Sequence, residues 1–206
     1  MGTVRIPNYD VMRLFINTGI HGVVWPKQTL CAFRLPETGL IVRTNTLTFH
    51  AEDFVLQILH TRILNGYRPI DVVIYSNMSP CRRCCSRIKQ FLDTFPGYTL
   101  TIVFASLYNI DRPSCEMRDP PCTVQHKTTD GHQHNLDAMK TLLTKTNLRP
   151  FQRHDWKVLS LMLGLGFAMD PALEEARQVE DDFVQLDWME LVMKPLYLHP
   201  FEQGQH

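Results

Sequence analysis

Apolar residues fall into segments of two periods, and their alternation predicts the fold. Residues 28–37, "QTLCAFRLPE", and 39–45, "GLIVRTN", are rich in β-branched and large apolar side chains. They meet at Pro36-Glu-Thr-Gly39, which predicts a hairpin. From Ala51 to Leu64, Phe54, Val55, Ile58, Leu59 and Ile63 keep helical spacing, and Asn65-Gly66 supplies a stop. "DVVIYSN" (71–77) is a short apolar run suited to a buried strand. Ser79-Pro80 then opens a second helix, with Ile88, Phe91 and Leu92 on one face and an end near Pro96-Gly97. "YTLTIVFASLY" (98–108) is the most strand-like stretch. After a loop over 109–135 come a helix "NLDAMKTLLTK", a strand "WKVLSLML" (156–163) and an acidic helix from about Pro171 to Val192. A strand pair followed by alternating helices and strands predicts the α/β class, a mixed sheet with crossover helices on its faces.

With 206 residues, 44% of them hydrophobic, the expectation is one domain over 1–206, with its core at about 28–192 and an inserted-looking loop at 109–135. No apolar run reaches the roughly 18 residues of a membrane span, and the start lacks the pattern of a secretory signal, so the expected location is cytoplasmic or nuclear, without a membrane. Met-Gly opens the chain, but Ile6 stands where a myristoylation signal wants Ser or Thr. The cysteines (31, 81, 84, 85, 115 and 122) are unevenly spread, which favours thiols kept for metal over disulfides. Formal charge is zero, yet residues 170–190 hold eight acids against Arg177 alone. That segment therefore carries −7 and the remainder +7, which leaves room for a polynucleotide on one face.

Two short stretches hold the chemistry: "FHAE" (49–52) and "SPCRRCC" (79–85). A catalytic zinc takes three protein ligands and leaves a fourth position for water. His50, Cys81 and Cys84 offer one imidazole and two thiolates, each set at a predicted helix start, where the helix dipole favours the negative sulfurs. Either Cys84 or Cys85 lies within one turn of Cys81; Cys84 is the favoured ligand and Cys85 the core-facing thiol. Two residues beyond the histidine, Glu52 is placed to take a proton from water that the metal has made acidic and hand it to a leaving amine. His-x-Glu followed by Pro-Cys-x-x-Cys is the signature of zinc nucleobase deaminases.

With the sheet order, these residues resemble the AID/APOBEC group of polynucleotide cytidine deaminases over roughly residues 28–192. "QTLCAFRL" resembles the group's first strand and "FLDTFPGYTLTIVFASLY" its third helix and fourth strand. "VVIYSNMSPC" and the cysteine pair look most like the fourth APOBEC branch. The resemblance implies a five-stranded mixed sheet flanked by about six helices, one zinc ion, and hydrolysis of cytosine to uracil in single-stranded DNA or RNA, with Glu52 as proton shuttle. Asn45, Ala51, Ser79 and Tyr108 match positions that contact the nucleotide. Met78 stands where most active members have tryptophan, and Ser106 where they tend to have arginine, which implies weaker holding of the base and of the polymer backbone.

Cys115, Cys122, His126, His132 and His134 crowd the loop after the fourth strand without a recognisable zinc spacing, so an exposed loop is expected there rather than a second metal site. Arg82, Arg83, Arg87 and Lys89 predict a basic solvated helix face, and the acidic helix a solubilising surface with an apolar side at Phe183, Leu186, Trp188 and Leu191. Two competing functions share the motifs: a deaminase of free nucleosides or nucleotides, and a non-enzymatic relative that keeps zinc for folding and binds nucleic acid, a protein partner or itself. Retention of Glu52 argues against the second, because a purely structural zinc needs no proton carrier.

Overall fold

The computed structural model describes residues 7–118, 131–166, 170–194 and 196. Its elements run α1 (Asn8–Asn17), β1 (Leu30–Leu35), β2 (Gly39–Thr44), α2 (Ala51–Leu64), β3 (Asp71–Ser76), α3 (Arg82–Thr94), β4 (Thr99–Phe104), α4 (His132–Leu143), β5 (Asn147–Pro150), α5 (Arg153–Met162) and α6 (Pro171–Trp188). A 3-10 turn, Pro113–Met117, lies between β4 and α4, and a π turn, Met189–Met193, extends α6. The five strands form one sheet in the order β2-β1-β3-β4-β5. β1 is antiparallel to β2 and β3, whereas β3-β4 and β4-β5 are parallel. Among the described residues, the α/β class and the five-stranded mixed sheet with six helices are therefore as the resemblance implied.

Alternation along the strands divides the core into two layers. Phe33, Leu35, Ile74, Leu100, Ile102 and Phe104 pack with α2, α3, α4 and Trp188 on one face. Leu30, Ala32, Tyr75 and Val103 pack with α1 and α5 on the other. The parallel β3-β4 pair directs the ends of both strands, and the loops that follow them, to the same edge of the sheet. Both the cysteine helix and the Tyr108 segment start from that edge. Among the described residues, no helix is long and apolar enough to cross a membrane.

Four expectations are corrected. The hairpin is not the first element: α1 precedes it and buries Val11, Met12, Phe15 and Ile16, a helical spacing in the sequence. Residues 156–163 form no strand. Trp156, Leu159, Ser160 and Leu163 are buried at i, i+3, i+4 and i+7, while Val158 and Leu161 face solvent. An apolar run of that length fits both periods, and two local contacts decide it: the Gln152 N–H donates to the Asp155 carboxylate at 2.8 Å, starting the helix, and the Trp156 ring stacks on Phe151 at 4.2 Å. The fifth strand is instead the four-residue "NLRP", where edge pairing with β4 tolerates Pro150. The loop placed at 109–135 also contains structure, since α4 begins at His132 and the 3-10 turn precedes it.

The acidic helix departs furthest from expectation. Its inward face carries Arg177, Glu180, Asp181 and Asp187 beside Val184 and Trp188, while Leu186 is exposed. The acids meet arginines from elsewhere in the chain: Arg112 lies 2.6 Å from both Glu180 and Asp187, and Arg118 lies 2.7 Å from Glu180. Arg177 pairs with Asp181 at 3.0 Å. Three of the eight acids and three arginines are thus taken inside, so the surface is less polarised than the ±7 split implies.

Candidate active site

His50 and Cys81 are the residues that immediately precede α2 and α3, respectively. The His50 N–H donates to the Asp53 carboxylate at 3.2 Å, which closes the first turn of α2. Asp53 also reaches α3, with Arg87 at 2.7 Å and Arg83 at 3.7 Å. This buried acid ties the histidine's helix to the cysteines' helix; its sequence signal, an acid three residues after the helix boundary, was legible only as a capping feature. The basic face of α3 is solvated, as expected, and partly paired. Arg83 and Arg87 face Asp53, Lys89 pairs with Asp93, and Arg82 alone of the four has no acid within salt-bridge distance among the described residues.

His50 Nδ1 lies 3.5 Å from Cys81 Sγ and 3.2 Å from Cys84 Sγ, and the two sulfurs are 3.6 Å apart. A tetrahedral zinc bonded to sulfur at about 2.3 Å and to nitrogen at about 2.0 Å has ligand-to-ligand edges of about 3.5–3.8 Å, so this triangle fits the ion with little movement. Among the described residues this is the one His, Cys, Asp and Glu group with that property. Cys81 is drawn down to about 5, first by its hydrogen bond with Cys84, and the Cys84 thiol is pushed up by the same shared proton and by burial. Cys85 turns into the core, its sulfur 3.5 Å from the Pro80 carbonyl. Cys84→Ala is therefore expected to lose most of the bound zinc, and Cys85→Ala to keep about one ion per chain, as measured by metal analysis of the purified variants.

Glu52 is buried beside these ligands, and its Oε2 has no hydrogen-bond partner among the described residues. Burial pushes its carboxyl up to about 7; a divalent cation on the adjacent ligands would draw it down again. A buried carboxyl with one oxygen unpaired is costly as structure and useful as a proton carrier.

The residues matched to nucleotide contacts have varied surroundings. Ala51 is fully buried at the start of α2. Asn45 Oδ1 accepts the Thr29 N–H at 2.9 Å, which fixes the β2 end against the segment entering β1. Ser79 is buried and accepts the Tyr108 N–H at 2.9 Å, so its hydroxyl positions the tyrosine backbone. Tyr108 is 36% exposed. It lines a cleft of about 210 Å³ with Trp25, Met78, Leu107, Asn109, Ile110 and Arg112. A tryptophan is thus present at the cleft, supplied by residue 25 rather than 78. Ser106 is an interior residue, its hydroxyl in contact range of Gly19, whose φ of +91° suits glycine. A larger groove of about 510 Å³ runs between α2 and α3 past Phe49, His60 and Phe95 and includes neither the ligands nor Glu52.

Cys122 and His126 lie outside the described residues. Of the other loop candidates, Cys115 is buried in the 3-10 turn, and His132 Nδ1 accepts the Asp111 N–H at 3.0 Å.

A family described as "APOBEC3, cytosine deaminase domain" matches residues 27–144. The chain is 32% identical over 78 residues to the "Putative C->U-editing enzyme APOBEC-4" of Homo sapiens and 31% identical over 78 residues to the protein of that name from Macaca fascicularis. Each alignment covers 36% of this chain and 20% of the relative, so the matched part spans about one fifth of those proteins.

Proposed function

The chain belongs to the APOBEC cytosine deaminase family, and from that premise we propose that it hydrolyses cytosine to uracil in single-stranded DNA or RNA. The observation that carries this reading is the buried Glu52 carboxyl beside a His50, Cys81 and Cys84 triangle with the edge lengths of a zinc site. His50, Cys81 and Cys84 would hold the ion, which would supply hydroxide from a bound water near neutral pH. Glu52 is placed to move two protons in turn: one from the attacking water to the ring nitrogen as oxygen bonds to C4, then one from the added hydroxyl to the amine as the C4–N bond breaks, which leaves uracil and ammonia.

The shape of the molecule supports a polymer substrate. The cleft at Tyr108 is lined by Trp25 and Tyr108, flat side chains suited to an unstacked base, and by neither the ligands nor Glu52. The test is uracil formation at low salt on cytosine-containing single-stranded DNA and RNA, with free cytidine and deoxycytidine alongside. Uracil is expected in one of the polymers. Deamination of the free nucleosides alone would redirect the reading to a small-molecule enzyme, and no uracil from protein shown to hold zinc would leave a metal-stabilised binding module.

A further inference from the structure

We propose that Asn135 is a positioning residue that sets the Tyr108 segment against the metal-bearing helix. This proposal rests on the deaminase reading for its catalytic consequence only. Asn135 sits in the first turns of α4 and is buried. Its Oδ1 accepts the Arg82 N–H at 2.8 Å, in the first turn of α3 between Cys81 and Cys84. Its Nδ2 donates to the carbonyls of Tyr108 at 3.3 Å and Asn109 at 3.4 Å. One side chain thus joins three elements: the cysteine helix, the segment that carries the exposed tyrosine, and α4.

Chemistry fixes the orientation of this amide. Its partners are one N–H on one side and two carbonyls on the other, so the flipped arrangement would face donor to donor and acceptor to acceptor. Local helix formation gives no reason for asparagine here, since it is a poor interior helix former whose amide competes with the backbone. The segment it grips needs holding. Asn109 has a φ of +48°, a left-handed backbone that other residues adopt at a cost. Two further contacts secure the same segment, from Ser79 Oγ to the Tyr108 N–H and from His132 Nδ1 to the Asp111 N–H. Asn135 is the one among them that also holds α3. Its amide thereby couples the place where a base would stack to the place where zinc would sit.

Asn135→Asp and Asn135→Ala separate its two functions. Aspartate keeps the acceptor for Arg82 but loses both donors and sets a carboxylate against two carbonyls; alanine loses everything. Hydrogen exchange read at the amides of Arg82, Tyr108 and Asp111 in zinc-loaded protein reports each link without any substrate. In Asn135→Asp, exchange at Tyr108 and Asp111 is expected to quicken by about tenfold or more while Arg82 stays protected; in Asn135→Ala all three are expected to quicken. Zinc content should remain that of the wild type, and KM for the single-stranded polymer should rise about tenfold with a smaller change in kcat.

Unchanged exchange at Tyr108 and Asp111 in both variants would overturn the proposal. So would a uniform rise across the whole chain with loss of zinc, which would make Asn135 part of general stability. Wild-type protein that forms no uracil would remove the deaminase reading, while the exchange data would still decide whether the link exists.

Discussion

Glu52→Gln is expected to lower uracil formation by about 10²–10⁴-fold, the usual contribution of a positioned acid-base group, with zinc content unchanged. The substitution keeps the shape of the side chain and removes the ability to pass a proton. It should not unfold the protein. Glu52 is buried with an unpaired Oε2, and without metal burial favours its neutral form, so there a neutral amide of the same size removes a desolvation cost. The unfolding midpoint of the metal-free protein should hold or rise slightly. Equal activity of the variant and the wild type would show that the proton travels by another route; loss of zinc together with activity would move Glu52 from the chemistry to the structure. Asp53 is the natural control: a buried acid one residue further along α2, engaged by His50 N–H and two arginines.

The parts of this fold that the sequence announced are those in which local period and tertiary placement agree. β1 to β4 and α2 and α3 were legible because turn residues bracket each apolar run and because both ligand groups stand at helix starts. Residues 156–163 misled because "WKVLSLML" is apolar on nearly every position, and only the Asp155 cap and the stacking on Phe151 choose helix over strand. β5 is illegible in the sequence because four residues ending in proline give almost no signal; its register comes from β4. The clamp at Asn135 and the tryptophan at the cleft depend on residues 53 and 53 positions distant, Arg82 from Asn135 and Met78 from Trp25, so no local pattern shows either. Charge misled in the same way. Counting acids treats each as solvated, whereas Glu180 and Asp187 are matched in the interior by Arg112 and Arg118, whose approach only the fold determines, and Asp181 by Arg177 one turn away on α6.

That interior network supports the second large prediction: Arg177→Met is expected to cost about 3–5 kcal/mol of folding stability at pH 7.5, read by urea unfolding. Arg177 is almost wholly buried. Its guanidinium donates to Asp181 at 3.0 Å and to the carbonyls of Ile16, Thr18 and Ala105 at 3.1, 2.5 and 3.5 Å. It thereby fastens the end of α1 and the end of β4 to α6. Methionine fills much of the volume but leaves the Asp181 carboxylate buried with Trp156 Nε1 as its remaining donor, at 2.6 Å. Changing Asp181 to leucine as well should recover more than half of the loss, because removing both charges avoids the stranded one. The pH dependence has a definite sign. Burial pushes Asp181 up to about 6, with Arg177 pulling the other way. A carboxyl whose folded value lies above its unfolded value near 3.9 adds stability that is complete below about pH 4 and is lost as pH rises through about 6. Without Arg177 the folded value climbs further, so the deficit of the variant should shrink between pH 7.5 and 5.5. A deficit that stayed constant over that range would place the cost in the lost carbonyl contacts rather than in the uncompensated charge.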